Sequence, residues 1–278
     1  MSEPTGDNGV RARIARDSGE ELTASRAVLN FALRELSAWS GRPIKRGADR
    51  IVLAEGARGT KTFDAVIRLC EAGFGEQALM LDRSLFEGMA VAHWVATNRR
   101  EAVGLFTRHA KFNALLTYEA LDRLGWLTEQ DSPLRPSVRP KRRKEFVNLF
   151  GLHGTRSWVG RNVVTILEEI EGQWDEQGRA ALWDFHDVAY RLSNQILHST
   201  ATSISVAFTR RSPTQLAVTA TSSNQLVAPA LYAAYWTYGQ LFTLLADVFK
   251  LTSGEAFRDL WQTGGQTFGL AAPLSPSS

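Results

Sequence analysis

Two stretches of this sequence place charged and titratable side chains at the spacing of a helix face, and the second suits chemistry on phosphate. In the first, Leu79, Arg83, Phe86, Glu87, Ala90 and Trp94 recur at intervals of three and four. Arg83 and Glu87 therefore share a stripe with large apolar groups. An unpaired charge is costly to bury, so this pair must satisfy itself or a facing polar group, either as an ion pair fixing helix register or as the wall of a site. In the second, Asp184, Asp187, Arg191, Asn194 and His198 form a polar face opposite the apolar stripe Leu182, Phe185, Ala189, Leu192 and Ile196. At about 100° per residue, Arg191 and His198 point the same way nearly two turns apart. A guanidinium beside an imidazole is what metal-free RNA cleavage requires. The imidazole moves the proton of the 2′-hydroxyl or the leaving oxygen, and the guanidinium stabilises charge on the phosphorane. On this reading His198 is the general acid/base, Arg191 the phosphate stabiliser and Asn194 the orienting group, with Arg83 and Glu87 supporting them from a facing helix. The same R-x6-H spacing recurs at Arg179 and His186, about 120° around the helix. Asp187 and Arg191 also make an ordinary i,i+4 pair, so a solvated, salt-bridged face is the alternative.

Between Ser132 and Lys144 the composition turns basic and proline-rich, with Pro133, Pro136 and Pro140 among the cations. Read as a loop, it offers Arg139, Lys141, Arg142, Arg143 and Lys144 to a phosphate backbone, though no aromatic residue within it can stack on a base. His93, His109 and His153 stand singly and read as structural. Cys70 is the single cysteine, and no C-x-x-C or H-E-x-x-H spacing is present. Neither a disulfide framework nor a zinc site is expected, and the absence of a P-loop or dinucleotide motif leaves no cofactor to expect.

The elements that must hold these groups read as helices of a single all-α domain, about seven to nine in number, over residues 18–264. A capping box at Ser18-Gly-Glu-Glu21 opens a helix to about Trp39. Ala48–Glu71 forms a second, weakened and kinked at Gly56 and Gly59. Glu76–Asn98 and Glu101–Leu124 follow, then Val163–Ile170 and Arg179–Thr200. Alternating β-branched residues within 203–221 suggest a short hairpin. Gln225–Ala246 carries no formal charge and is about long enough to span a bilayer, but its dispersed Tyr232, Tyr235, Tyr238 and Gln240 favour a buried or subunit-interface helix over membrane contact. Residues 1–17 read as a flexible leader without a signal peptide's apolar region, and 265–278 as a flexible tail. The 278 residues are 44% hydrophobic and 22% charged, with a net charge of +3, so a folded cytoplasmic protein is expected and any nucleic-acid site must be a local patch.

Asp82-Arg-Ser-Leu-Phe-Glu87, Trp158-Val-Gly160 and Tyr190-Arg-Leu-Ser193 through His198 resemble, in that order, the bacterial family of domain of unknown function 5677, over roughly Phe63 to Phe249. The resemblance implies an all-helical protein in which Arg83, Glu87, Trp158, Tyr190, Ser193 and His198 match the recurrent pattern. The arginine-to-histidine helix is also similar to the motif of HEPN-type helical proteins, many of them dimeric, metal-independent ribonucleases of toxin or defence systems. That likeness implies a homodimer acting on RNA or a nucleotide; Tyr190 and Ser193, which match the first family's pattern, are expected as supporting residues. In HEPN proteins the residue after the arginine is usually polar, whereas Leu192 here is apolar, with Asn194 a turn further on. The alternative is a non-catalytic homo-oligomeric interaction module whose polar cluster only fixes packing.

Overall fold

The computed structural model of the chain describes residues 7–126, 139–151, 158–198, 204–205, 208–212, 215–218 and 221–270. The helices are α1 (Asp7–Asp17), α2 (Gly19–Trp39), α3 (Gly47–Glu71), α4 (Gly75–Thr97), α5 (Arg99–Arg123), α6 (Arg139–Phe150), α7 (Val163–Ile170), α8 (Glu176–Phe185), α9 (Arg191–Leu197), α10 (Val227–Phe249) and α11 (Gly254–Gly265). A 3-10 turn, Glu171–Gln173, leads from α7 toward α8, and a π-turn, His186–Tyr190, joins α8 to α9. The expected all-α architecture holds. The hairpin is present as β1 (Phe208–Ser212) and β2 (Gln215–Val218), paired antiparallel with Phe208 opposite Val218. β1 begins at Phe208; of the earlier residues expected to alternate, 204–205 are helical, and 203, 206 and 207 lie outside the described residues.

The frame is α4 packed between α3 and α10. Close approach of α3 to α10 explains Gly56 and Gly59, where an added Cβ would lie 2.4 Å from Leu245 Cδ1 and 2.3 Å from Leu241 Cδ2 respectively. The two glycines are contact points within a continuous helix. Helix α10 is buried nearly all round, and several of its polar tips find partners inside the bundle, while Gln240 Nε2 and Thr243 Oγ1 have none among the described residues. Tyr238 stacks on Phe63 with ring centroids 4.5 Å apart, and its hydroxyl shares a 2.9 Å hydrogen bond with Thr60. The Tyr235 hydroxyl donates to the Trp261 carbonyl at 2.7 Å, and Trp174 Nε1 donates to Gln240 Oε1 at 3.3 Å. A lipid-facing helix would leave such groups without partners. Among the described residues, no helix is long and apolar enough to cross a membrane.

Three expectations at the edges of the domain are corrected. Part of the flexible leader is helix α1, because Val10 and Ile14, one turn apart, are buried in the core. The basic loop is helical from Arg139 onward: Pro140 sits in the first turn, where its missing N–H is tolerated, and Phe146 and Phe150 bury one face against Phe112. Residues 132–138 lie outside the described residues. Part of the expected tail, 265–270, packs onto the domain, with the Phe268 ring 4.5 Å from that of Tyr235; residues 271–278 lie outside the described residues.

Gly239 faces the Trp261 indole, and a Cβ there would stand 2.0 Å from Cε2. The indole cannot retreat freely, since its Nε1 donates to the Tyr235 carbonyl. Gly239→Ala is therefore expected to destabilise the protein by about 1–3 kcal/mol, lowering the thermal midpoint by roughly 2–4 °C per kcal/mol. Gly172→Ala, with nothing within 4 Å of the added carbon, should leave the midpoint unchanged. Equal midpoints for the two variants in a circular-dichroism melt would refute this account of the α10–α11 contact.

Candidate functional site

The helical stretch expected over 179–200 is interrupted, and the interruption builds the site. The Arg191 N–H bonds to the His186 carbonyl five residues back, so the turn holds an extra residue. Beyond it, the chain is rotated by about one position relative to an unbroken α-helix. Ala189 and Leu192, expected in the core stripe, are only partly buried, and Tyr190 and Ser193 are buried instead. Ser193 Oγ caps the Ala189 carbonyl at 2.7 Å. Tyr190, Asn194 and His198, four residues apart, form a stripe whose first and last members bond to α4.

On α4, Arg83 Nε donates to Glu87 Oε1 at 3.0 Å, and the Tyr190 hydroxyl donates to the same oxygen at 2.9 Å. The guanidinium carbon of Arg83 stands 5.8 Å from the Tyr190 ring centroid, and Phe86 packs on that ring at 5.5 Å. Arg83 Nη1 reaches His198 Nε2 at 3.1 Å. Since a guanidinium only donates, the imidazole accepts here through Nε2 and carries its proton on Nδ1. Burial acts to lower the Arg83 guanidinium, but the hydrogen bond and charge of Glu87, with help from Tyr190, carry it above its ordinary value. Burial, then the Glu87 charge and hydrogen bond, push the Tyr190 phenol up to about 12. His198 is exposed, and the Arg83 side chain is 25% exposed, so the Arg83–His198 pair opens to solvent. Asn194 turns its Oδ1 inward, buried and without a hydrogen-bond partner among the described residues.

The expected grouping is thus partly met. Arg83, Glu87, Tyr190 and His198 come together, with Ser193 and Asn194 on the same short helix. Arg191 stands apart in a 3.3 Å pair with Asp187, the two side chains 65% and 55% exposed. The guanidinium against His198 comes from α4, a partner that local spacing cannot reveal. The rival Arg179 and His186 do not pair: Arg179 is exposed, while His186 is buried, stacked on Tyr190 and bonded through Nδ1 to Asp187 at 2.9 Å. Of the basic residues, Arg142 pairs with Glu145 and Arg143 with Glu119, and Lys141 and Lys144 are exposed. His153 lies outside the described residues. Among these residues no three His, Cys, Asp or Glu side chains converge as a metal-binding group.

A second polar assembly at the other end of α4 escaped sequence reasoning, because its members come from four separate segments. Trp94 Nε1 donates to Glu169 Oε2 at 2.6 Å, and Arg161 Nε donates to Glu169 Oε1 at 2.6 Å. Arg161 also bonds Glu101 and lies 4.8 Å over the Trp94 ring. Its one sequence cue was Trp158-Val-Gly160 just ahead of Arg161. Next to it, His93 is buried against Trp174, with its Nδ1 3.1 Å from Gln173 Oε1. Burial lowers the His93 imidazole to about 4, against the opposing pull of Gln173.

The model of the family described as "Family of unknown function (DUF5677)" matches residues 50–214, more than half of the 278-residue chain. The chain belongs to this family. The matched span runs from α3 to the hairpin and contains the whole Arg83–His198 cluster; α10 lies beyond it. No curated protein and no solved structure matches the chain.

Because the folded state keeps His93 neutral, the unfolded chain takes up a proton first as pH falls below about 6.5. The stability owed to this group is complete above that pH and is lost as pH falls toward about 4, a contribution of roughly 3 kcal/mol. Asp82, whose carboxyl is fully buried and raised by burial, works in the opposite direction as pH falls. The effect is therefore read as a difference. Urea midpoints of wild type and His93→Gln, compared at pH 7 and 4.5, should show the larger acid loss in wild type; parallel losses would refute it.

Proposed function

We propose that this member of the family binds RNA or a nucleotide at the Arg83–His198 pair and acts as a metal-independent endoribonuclease, HEPN-like in mechanism and homodimeric, in a defence or toxin setting. One observation carries the reading: a solvent-open imidazole held 3.1 Å from a guanidinium that is itself fixed by Glu87 and Tyr190. A bound phosphate would replace the Arg83–His198 bond, leaving Arg83 Nη1 to donate to a non-bridging oxygen and His198 Nε2 free. His198 then accepts the 2′-hydroxyl proton as the 2′-oxygen attacks phosphorus. Arg83 stabilises the phosphorane charge, the bond to O5′ breaks, and the imidazolium returns its proton to that oxygen. The products are a 2′,3′-cyclic phosphate and a 5′-hydroxyl. Arg191 approaches from solvent, since an exposed ion pair of the Asp187 kind is weak enough to be exchanged. Asn194 lies between Tyr190 and His198 on the helix; with its Oδ1 turned inward, it would orient the substrate through its amide nitrogen.

The second reading, a non-catalytic interaction module, has its own support: Glu87 satisfies both Arg83 and Tyr190, as a purely structural lock between α4 and the π-turn would require. One experiment separates them. Purified protein in EDTA is incubated with end-labelled structured and single-stranded RNAs, beside Arg83→Ala, His198→Ala and Arg191→Ala variants of checked helicity. Cleavage should fall by about 100-fold or more for His198→Ala and Arg83→Ala, and only a few-fold for Arg191→Ala, with cyclic phosphate ends by mass spectrometry. No cleavage by wild type across the RNAs would favour the interaction module, and equal cleavage by all four proteins would place any activity elsewhere.

A further inference from the structure

The π-turn also shapes the flank of α9 that faces α10. An unbroken helix would carry Ala189 and Leu192 into the core; the extra residue leaves both partly open. With Leu79, Phe185 and Val188 they wall a cleft of about 160 Å³, completed by Pro229 and Tyr232 of α10. A space of about 150 Å³ with apolar walls holds a benzene ring. The Phe185 ring is stacked on Tyr232 at 5.0 Å and on Trp236 at 4.0 Å, so the wall is preformed and little ordering is needed on binding. Val188 is 69% exposed and Tyr232 36% exposed, which leaves the mouth open to solvent. Asp184 is the single charged residue lining it among those described. It is exposed and has no hydrogen bond or ion pair among the described residues, whereas Asp187, three positions on, holds Arg191 and His186. The Asp184 charge is felt at Tyr232, where it adds to burial in raising the phenol above its ordinary value.

We propose that the cleft between the α8–α9 run and α10 is a binding site for a small arylalkyl amine, its ring taken up by the apolar walls and its ammonium held at the mouth by Asp184. Apolar walls with one placed polar group are the usual make-up of a small-ligand site. The charge does the selecting. A carboxylate without a cationic partner repels an anion and adds nothing for a neutral hydrocarbon, but it pairs with an ammonium, which aromatic faces such as that of Tyr232 also attract. The volume matches one ring. The site is separate from the Arg83–His198 pair: Leu192 lies about 160° around α9 from Asn194, so the inference does not rest on the proposed reaction with RNA.

The test titrates the full-length chain at pH 7 with para-fluorophenethylamine, followed by fluorine NMR, beside the matching para-fluorophenylethanol, which keeps the ring and replaces the ammonium with a hydroxyl. Wild type should bind the amine about 4-fold more tightly than the alcohol. Asp184→Asn, at an exposed position that leaves the core intact, should erase that difference by weakening the amine alone. Ala189→Leu, which puts a larger side chain into the cleft, should weaken both probes by about 10-fold; if it lowers the thermal midpoint, Val188→Trp at the exposed lip takes its place. Butylamine, an ammonium on a chain like that of lysine, should displace the fluorinated amine only weakly. No binding by wild type, equal affinity for amine and alcohol, a preference for the amine that survives Asp184→Asn, or affinity untouched by the cleft-filling variant would each overturn the inference. Butylamine binding as tightly as the aryl amine would overturn it too, since the ring would then contribute nothing.

Discussion

A single carboxylate oxygen, Glu87 Oε1, takes both the Arg83 Nε–H and the Tyr190 O–H, and the exposed chemistry of α9 depends on that shared acceptor. The hydrogen bond from Tyr190 ties the π-turn to α4, and the one from Arg83 aims the guanidinium at His198. Without Glu87, a cation on an apolar stripe would have no ionic partner on its own helix, and Arg83 would be driven toward solvent. The cluster is half-open, so Coulomb energy there is moderated by water. Its value lies in geometry: one acceptor fixes two side chains from different helices. The extra residue in the π-turn makes this possible by bringing Tyr190, not Ala189, to face α4.

The frame behind the cluster obeys a different constraint. α10 is too apolar for a surface helix and too rich in tyrosine and glutamine for lipid, and the bundle meets three of its polar residues with specific partners, leaving Gln240 Nε2 and Thr243 Oγ1 without one among the described residues. Thr60, the Trp261 carbonyl and Trp174 fill that role for Tyr238, Tyr235 and Gln240. Close backbone approach at Gly56 and Gly59 seats Leu245 and Leu241 on α3. α4 is then clamped along its buried side, so the positions of Arg83 and Glu87 are set by packing that lies partly outside the family-matched span.

What could be read from the residues alone was what depends on local periodicity. The helical class, the boundaries of α7 and the sharing of a face by Arg83 and Glu87 all follow from three-and-four spacing. The failures have physical reasons. The leader and the basic run looked like loops because their apolar residues are few, yet Val10 with Ile14 and Phe146 with Phe150 each make a sufficient stripe once a partner helix is present. A π-turn has no spacing signature, so an unbroken helix put Leu192 in the core and hid the role of Tyr190. The guanidinium beside His198 was sought seven residues away and came from 115 residues away. Contacts of that kind belong to tertiary packing, which periodicity does not encode.

α4 joins the candidate site to a second polar assembly. Arg83 and Glu87 occupy one stretch of it, and Trp94, eleven residues on and about 16 Å along the axis, meets Glu169 at the other. Glu169 holds Arg161, and Arg161 bonds the Val159 carbonyl beside Trp158. The segment that turns Trp158 toward Phe106 is therefore anchored to the same helix that aims Arg83 at His198. That coupling gives the second polar assembly a structural role that its buried indole and paired carboxylates do not suggest in isolation: it ties the segment before α7 to the helix that carries Arg83 and Glu87.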